Sequence, residues 1–147
     1  MSTQVKDCDY IEQKKEILLQ FAKKIVESRN KEVKSKKNEL IDKTCEFIHN
    51  NYSTPSLSIE DISQYAEISP SYFRSLFKEV TSKTPAEYIM DYRIEKAKEL
   101  LETTDYSTKD IAIAVGYDCR YFYSVFKSKV GKTTTEYRKS MKKKEEL

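Results

Sequence analysis

The sequence predicts an all-α protein, and three observations support that prediction. Glycine occurs only twice and proline three times in 147 residues, too rarely for the many tight turns of an all-β fold, whereas charged residues make up 35% of the chain. Apolar residues recur with helical spacing along much of the sequence. The region after residue 57 also contains two copies of one helical pattern. With 38% apolar residues, we expect one modest core with appendages.

The amino-terminal residues 1–36 are polar and rich in lysine, with nine Lys or Arg against six Asp or Glu. We predict one amphipathic helix there, without a complete core of its own. In residues 30–37, with the sequence NKEVKSKK, almost nothing can be buried, so we predict a linker. The helically spaced apolar residues of this amino-terminal segment are Ile11, Leu18, Phe21 and Ile25.

A second helix is expected after this linker, and it should end near Asn50 and Asn51. The following residues, NYSTPS, are of the types that form loops. The apolar stripe of this helix consists of Leu40, Ile41, Cys45 and Ile48.

The most informative feature is an internal repeat with a shift of 49 residues and no insertion. Each copy predicts the same supersecondary unit: a short helix, a tight turn, a second helix and the start of a further helix. The superposed pairs are Ser58 with Ser107, Asp61 with Asp110, Ile62 with Ile111, Tyr72 and Phe73 with Tyr121 and Phe122, Phe77 and Lys78 with Phe126 and Lys127, Lys83 and Thr84 with Lys132 and Thr133, and Glu87 and Tyr88 with Glu136 and Tyr137.

Helix-start signals fall at fixed places in both copies. Ser58 and Ser107 each precede an aspartate by three residues, so the hydroxyl can accept from a backbone amide while the carboxylate reaches back. Ser69 followed by Pro70 is a cap followed by a first-turn proline. A further helix starts by the same logic at Thr84 in one copy and at Thr133 in the other.

The turns of the two copies differ in composition. In the second copy, Gly116 permits the positive φ that a sharp reversal needs, and Gly131 stands where the second helix must stop. The first copy has Glu67 and Ser82 at these places, so its turns must form without glycine.

The second helix of each copy has a regular apolar side, which we interpret as core and not as a contact surface: Phe73, Leu76, Phe77 and Val80, and Phe122, Val125, Phe126 and Val130. Between the copies, residues 84–103 can form a connector helix of about 20 residues, roughly 30 Å long. Two helices at that separation can enter successive major grooves of a DNA duplex, whose turn is about 34 Å. The predicted divisions are an arm or linker at 1–36, a double helix-turn-helix domain at 37–141 (first unit 37–83, connector 84–103, second unit 104–141) and a charged tail at 142–147.

Charge and cysteine content argue against several classes of protein. The net charge is only +3, so a DNA-binding surface would be a local patch. Cys8, Cys45 and Cys119 form no CxxC pair and have only His49 as a companion, so we predict neither a metal site nor a disulfide framework.

No apolar run of 18 residues and no secretory signal occur, so we expect a cytoplasmic protein without membrane contact. Without a nucleophile–histidine pair or a glycine-rich phosphate loop, we predict no enzyme and no cofactor.

The stretches LSIEDISQYAEISPSYFRSLFKEV, YRIEKAKELL and IAIAVGYDCRYFYSVFKSKVGKTTTEYRK resemble the AraC/XylS family of transcription regulators over about residues 37–141. The most specific parts are IAIAVGY, the YF and VFK pattern with its following glycine, and the closing EYR. The resemblance implies seven helices, with the second helix of each unit in a major groove of double-stranded DNA. It also implies a bacterial activator that contacts RNA polymerase, and it is greatest to output domains of response regulators. We expect a monomer on DNA.

The second helix of each unit, which the resemblance places in a major groove, is called a reading helix below. The resemblance assigns the DNA contacts to the exposed faces of these two reading helices. Arg74 and Arg120 look equivalent, near the amino ends of these helices, and we expect them to contact bases or phosphates. Many family members have Ser-Arg after the aromatic-apolar pair, whereas this chain has Arg74-Ser75 and Tyr123-Ser124, so its base preference cannot be copied from relatives. The assigned residues are Ser71, Tyr72, Arg74, Ser75 and Lys78 in the first unit, and Cys119, Arg120, Tyr123, Ser124 and Lys127 in the second, with both lysines expected on phosphates.

The sequence leaves several alternatives open. A helical protein-interaction adaptor that has kept the fold and lost DNA binding fits the same pattern. The amino-terminal helix fits a linker from a larger regulator, a dimerisation helix, or an arm packed on the domain. Cys119 fits an ordinary thiol better than a redox switch, because no resolving cysteine lies nearby in sequence. The basic tail fits a solvated helix end or a nonspecific DNA contact.

Overall fold

The computed structural model describes residues 2–146, with side chains for residues 6–146. Every regular element in this range is a helix, which confirms the predicted all-α fold. The seven helices are α1 (Ser2–Asn51), α2 (Ile59–Tyr65), α3 (Pro70–Thr81), α4 (Pro85–Thr103), α5 (Thr108–Ala114), α6 (Cys119–Val130) and α7 (Thr134–Glu145).

The linker predicted at residues 30–37 is wrong, because these residues lie within α1. The chain has no glycine or proline before Pro55, and lysine and glutamate are good helix formers that need no burial. The second predicted helix is therefore the end of α1, which stops at Asn51 as expected. Residues 1–39 and 40–147 form two separate compact bodies.

In the first body, the side chains of residues 6–36 are all exposed. The predicted apolar stripe is present, and its side chains are exposed. Between 52% and 68% of each stripe residue is accessible: Ile11, Leu18, Phe21 and Ile25.

In the second body, the core consists of two clusters that share α4. The first cluster takes Ile89 from α4, and the second takes Ile94, Ala97 and Leu101 from the same helix. Both predicted phenylalanine stripes are buried, whereas Val80 and Val130 lie half-buried at the edges. The connector helix α4 therefore contributes to the cores of both units. The buried aromatic residues of the two reading helices are Phe73 and Phe77 in the first cluster, and Phe122 and Phe126 in the second.

Most of the predicted helix starts are confirmed. The Ser69 hydroxyl accepts from the Tyr72 amide, with Pro70 in the first turn. At Ser107 only half of the expected exchange forms: its hydroxyl accepts from the Asp110 amide at 3.1 Å, but the Asp110 carboxylate does not reach back to the Ser107 amide. Full capping boxes begin α2, α4 and α7 at Ser58, Thr84 and Thr133.

The turns of the two units have the same backbone geometry despite their different residues. Gly116 and Gly131 have φ values of 88° and 80°, and Glu67 and Ser82 have φ values of 57° and 63°. The first unit therefore forms both left-handed turns without glycine, at a conformational cost that glycine avoids in the second unit.

The two glycines differ in their surroundings, which gives a matched test. A Cβ at Gly116 would lie 2.8 Å from the carbonyl oxygen of Tyr52, whereas one at Gly131 would meet nothing within 4 Å. We expect Gly131→Ala to lower the free energy of unfolding by about 1–2 kcal/mol, the cost of a left-handed alanine. Gly116→Ala should cost about 3 kcal/mol, because backbone atoms must also move. Urea titration measures both values, and equal losses would contradict this account.

Candidate nucleic-acid interface

The two reading helices, α3 and α6, are built alike. Each has 12 residues and ends at a left-handed residue. The side chain of Ser69 accepts from the Tyr72 amide at 3.2 Å, and that of Asp118 accepts from the Tyr121 amide at 3.0 Å. The buried phenylalanines of each helix face its own cluster, so the opposite face of each helix is exposed.

In the first unit, the structure places all five predicted contact residues on the exposed face of α3. The Arg74 guanidinium lies 3.9 Å from a Glu60 carboxylate oxygen, and both side chains are more than half exposed. An exposed pair at this distance contributes little to stability, so it leaves Arg74 able to bind another acceptor. The five exposed residues are Ser71, Tyr72, Arg74, Ser75 and Lys78.

In the second unit, four of the five predicted residues are exposed: Arg120, Tyr123, Ser124 and Lys127. The predicted exposure of Cys119 is wrong, because its side chain is half-buried. Cys119 precedes Phe122 by three residues and Phe126 by seven, so it lies on the core side of α6.

The repeat register corrects two further points. The predicted equivalence of Arg74 and Arg120 is wrong, because Arg74 is the fifth residue of α3 and Arg120 is the second residue of α6. Tyr121, which is not among the predicted contact residues, is 48% exposed and corresponds to Tyr72 in the 49-residue register. Its ring packs edge-on against Tyr117, with the centroids 5.3 Å apart. The register contained the signal that identifies Tyr121.

A buried arginine on α4 joins the two units. Arg93, which is 7% exposed, donates from Nε to the Tyr52 carbonyl at 2.8 Å and from Nη2 to the Thr54 carbonyl at 3.0 Å. Its guanidinium also lies over the ring of Tyr117, 4.8 Å from the centroid. Burial raises the pKa of Tyr117, and the nearby guanidinium opposes that shift. One side chain therefore connects the loop before α2 with the turn before α6.

An acidic residue on α4 also contacts both units. One carboxylate oxygen of Asp91 lies 2.8 Å from Lys83 Nζ at the end of the first unit, and the other lies 3.1 Å from Lys129 Nζ on α6. Hydrogen bonding to Lys83, and secondarily to Lys129, holds the pKa of Asp91 below its usual value despite partial desolvation. Both lysines are thus held near the connector.

Other kinds of site have less support in the described part of the chain. No group of three or more His, Cys, Asp or Glu side chains within it is arranged to hold a metal ion. The three cysteines are free thiols. None of the described helices combines the length and the apolar character needed to cross a membrane.

Comparisons with known proteins agree with this architecture. A family model described as a helix-turn-helix domain matches residues 62–140, more than half of the chain. The raffinose operon transcriptional regulatory protein RafR of Pediococcus pentosaceus is 34% identical over 85 residues, covering 58% of this chain and 30% of that protein. The chain spans less than two fifths of the length of the first curated relatives that it matches.

Two solved structures are also similar. The C-terminal domain of the two-component response regulator yesN from Fusobacterium nucleatum has a TM-score of 0.64 and 31% identity, over 69% of this chain and 96% of that one. The DNA-binding domain of AdpA, solved in complex with a target DNA, has a TM-score of 0.67 over 71% of this chain and 94% of that one. Its identity of 21% shows the shared fold alone.

Two helix-turn-helix units on one connector helix define a DNA-binding domain of the AraC type. The chain belongs to the AraC/XylS family of transcription regulators. The predicted family and the predicted double helix-turn-helix fold are thereby confirmed.

The contacts of Arg93 predict that it stabilises the fold far more than an exposed arginine does. We expect Arg93→Met to lower the free energy of unfolding by about 2–4 kcal/mol, because two carbonyl groups lose their charged donor. Arg74→Met, on the exposed face of α3, should change it by less than about 0.5 kcal/mol. Urea titration of both variants measures the difference, and similar losses would show that the Arg93 contacts contribute little.

Proposed function

We propose that this chain regulates transcription by reading two successive major grooves of a promoter site with α3 and α6. The observation that carries the proposal is the pair of equally long, similarly capped helices with exposed hydrogen-bond donors, joined by the 19-residue α4. At 1.5 Å per residue α4 is about 28 Å long, close to one turn of B-DNA. The DNA complex of the AdpA domain, which has the same fold, supports DNA as the partner.

The proposed contacts divide by chemistry. Arg74 and Arg120 are assigned to base edges, because a guanidinium can donate two hydrogen bonds to one guanine. Lys78 and Lys127 are assigned to phosphates, which position the protein without reading the sequence. The remaining proposed contacts come from hydroxyl groups and aromatic rings, and the residues that carry them are Ser71, Tyr72, Ser75, Tyr123 and Ser124. The exposed Tyr121 is added to this set.

The regulatory outcome that we propose is activation. One chain binds as a monomer, since it carries both reading helices, and its exposed surface contacts RNA polymerase at the promoter. We assign no enzymatic activity to it and place it with the bacterial chromosome in the cytoplasm. Because yesN is a response regulator, residues 1–36 fit a linker from a larger regulator. Transcription in vitro from a promoter carrying the selected site, with and without the protein, tests activation.

Selection of bound sequences from a random duplex pool at about 150 mM salt tests the two-groove reading. The proposal expects two different boxes about 10 base pairs apart. Arg74→Ala should relax base preference in one box and Arg120→Ala in the other, each by about tenfold at the affected base pair. Equal losses on all sequences would contradict the base assignments. A palindrome would favour a dimer, and no enrichment would favour a protein-interaction adaptor.

The lysine assignments have a separate test. Lys78→Ala and Lys127→Ala should weaken binding about equally on all sequences and reduce the salt dependence of log K by about one counterion each. Lys98→Ala is the control, because this lysine lies on α4 and pairs with Glu95 on the same helix. Fluorescence anisotropy at several salt concentrations measures the slopes. An unchanged slope for either reading-helix variant would remove that lysine from the interface.

A further inference from the structure

We infer that Asp91 is a positioning residue that sets the spacing between the two reading helices, and through it the spacing of DNA boxes that the protein accepts. This inference rests on the proposed function, because it requires both helices to read DNA. The feature that carries it is one carboxylate whose two oxygens are held by lysines from different units.

The two lysines stand at corresponding ends of the two units. Lys83 follows α3 by two residues, and Lys129 is the next-to-last residue of α6. Asp91 therefore ties the carboxy-terminal ends of both reading helices to one point on the connector. Its side chain is about one-third exposed, and the three charges form a network in place of an isolated pair.

The position of Asp91 on the connector explains why this tie restrains the angle between the units. Arg93 lies two residues further along α4, which places it about 200° around the helix from Asp91. On one side of the connector, Arg93 holds the loop before α2 and the turn before α6. Asp91 holds the far ends of the reading helices on the other side. Without Asp91, the second unit can rock about the buried Arg93 contact.

Neighbouring acidic residues on α4 serve as controls, because their ion pairs are local. Glu95 pairs with Lys98 at 2.9 Å and Glu99 with Lys96 at 3.3 Å, and both pairs lie within one helix. Removing the charge of Glu95 leaves the Asp91 contacts to both units in place. Glu95→Gln therefore removes the same charge as Asp91→Asn, from the same helix and with an equally small change in the size of the side chain.

The first test measures binding to duplexes that carry one box, both boxes at the selected spacing, or both boxes with one base pair inserted or removed. Wild type and Glu95→Gln should prefer the selected spacing. In Asp91→Asn this preference should fall by about three- to tenfold, while the affinity for single boxes changes less than about twofold. Asp91→Glu, which keeps the carboxylate, should retain most of the preference.

The second test needs no DNA. Cys8, Cys45 and Cys119 are replaced by alanine, and spin labels are attached to cysteines introduced at Ser75 and Ser124, on the exposed faces of α3 and α6. The distribution of distances between the labels should broaden in Asp91→Asn and stay unchanged in Glu95→Gln. Urea titration confirms that the compared variants are folded.

The outcomes separate the inference from the function on which it rests. If wild-type protein shows no advantage for two boxes, the two-groove function fails, and the label distances still decide whether Asp91 holds the units. If Asp91→Asn keeps both the spacing preference and the narrow distance distribution, the inference is overturned. A loss of affinity that is equal on single and paired boxes also overturns it.

Discussion

The buried guanidinium of Arg93 is the interaction on which the arrangement of both units depends. Its planar fork matches the Tyr52 and Thr54 carbonyls, and its face lies over Tyr117. Backbone atoms come so close at this point that Gly116 has no space for a side chain. The second unit repeats the solution with Arg138, which donates to the carbonyls of Leu101, Thr104 and Tyr106. Arg93 thus satisfies carbonyl groups in the loop after α1, and Arg138 satisfies carbonyl groups at the end of α4 and in the loop that follows it.

Much of the fold could be predicted because its determinants are local. Caps require a hydroxyl or carboxylate at one position, and stripes require apolar residues at helical spacing, so both are visible within a few residues. The same local pattern is misleading at residues 30–37, where few side chains can be buried and yet the chain is helical. An exposed helix needs only good helix formers without a breaker. The 49-residue register pairs Arg120 with Ser71 and Tyr121 with Tyr72, so the sequence itself contains the information that corrects both residues.

The contacts of α4 with both units could not be predicted, because no local pattern marks them. Arg93 bonds to residues 39 and 41 positions earlier. The repeat does not reveal it either, since the counterpart of Arg138 in the 49-residue register is Ile89 and Arg93 lies one helical turn further on. Asp91 is an ordinary acidic residue on an exposed helix face by sequence alone. Only tertiary structure shows that its oxygens contact residues from different units.

The two units share a scaffold but have different reading faces, and this difference has a consequence for the proposed function. Buried and capping positions match in the 49-residue register, whereas Arg74 corresponds to Tyr123 and Ser71 to Arg120. A symmetric dimer presents two identical faces and therefore favours a palindrome. Two units within one chain can diverge independently, so under the proposed function the site that they read together has a direction. A directional site lets a bound activator present the same surface to RNA polymerase at every copy of the site, which a palindrome alone does not ensure.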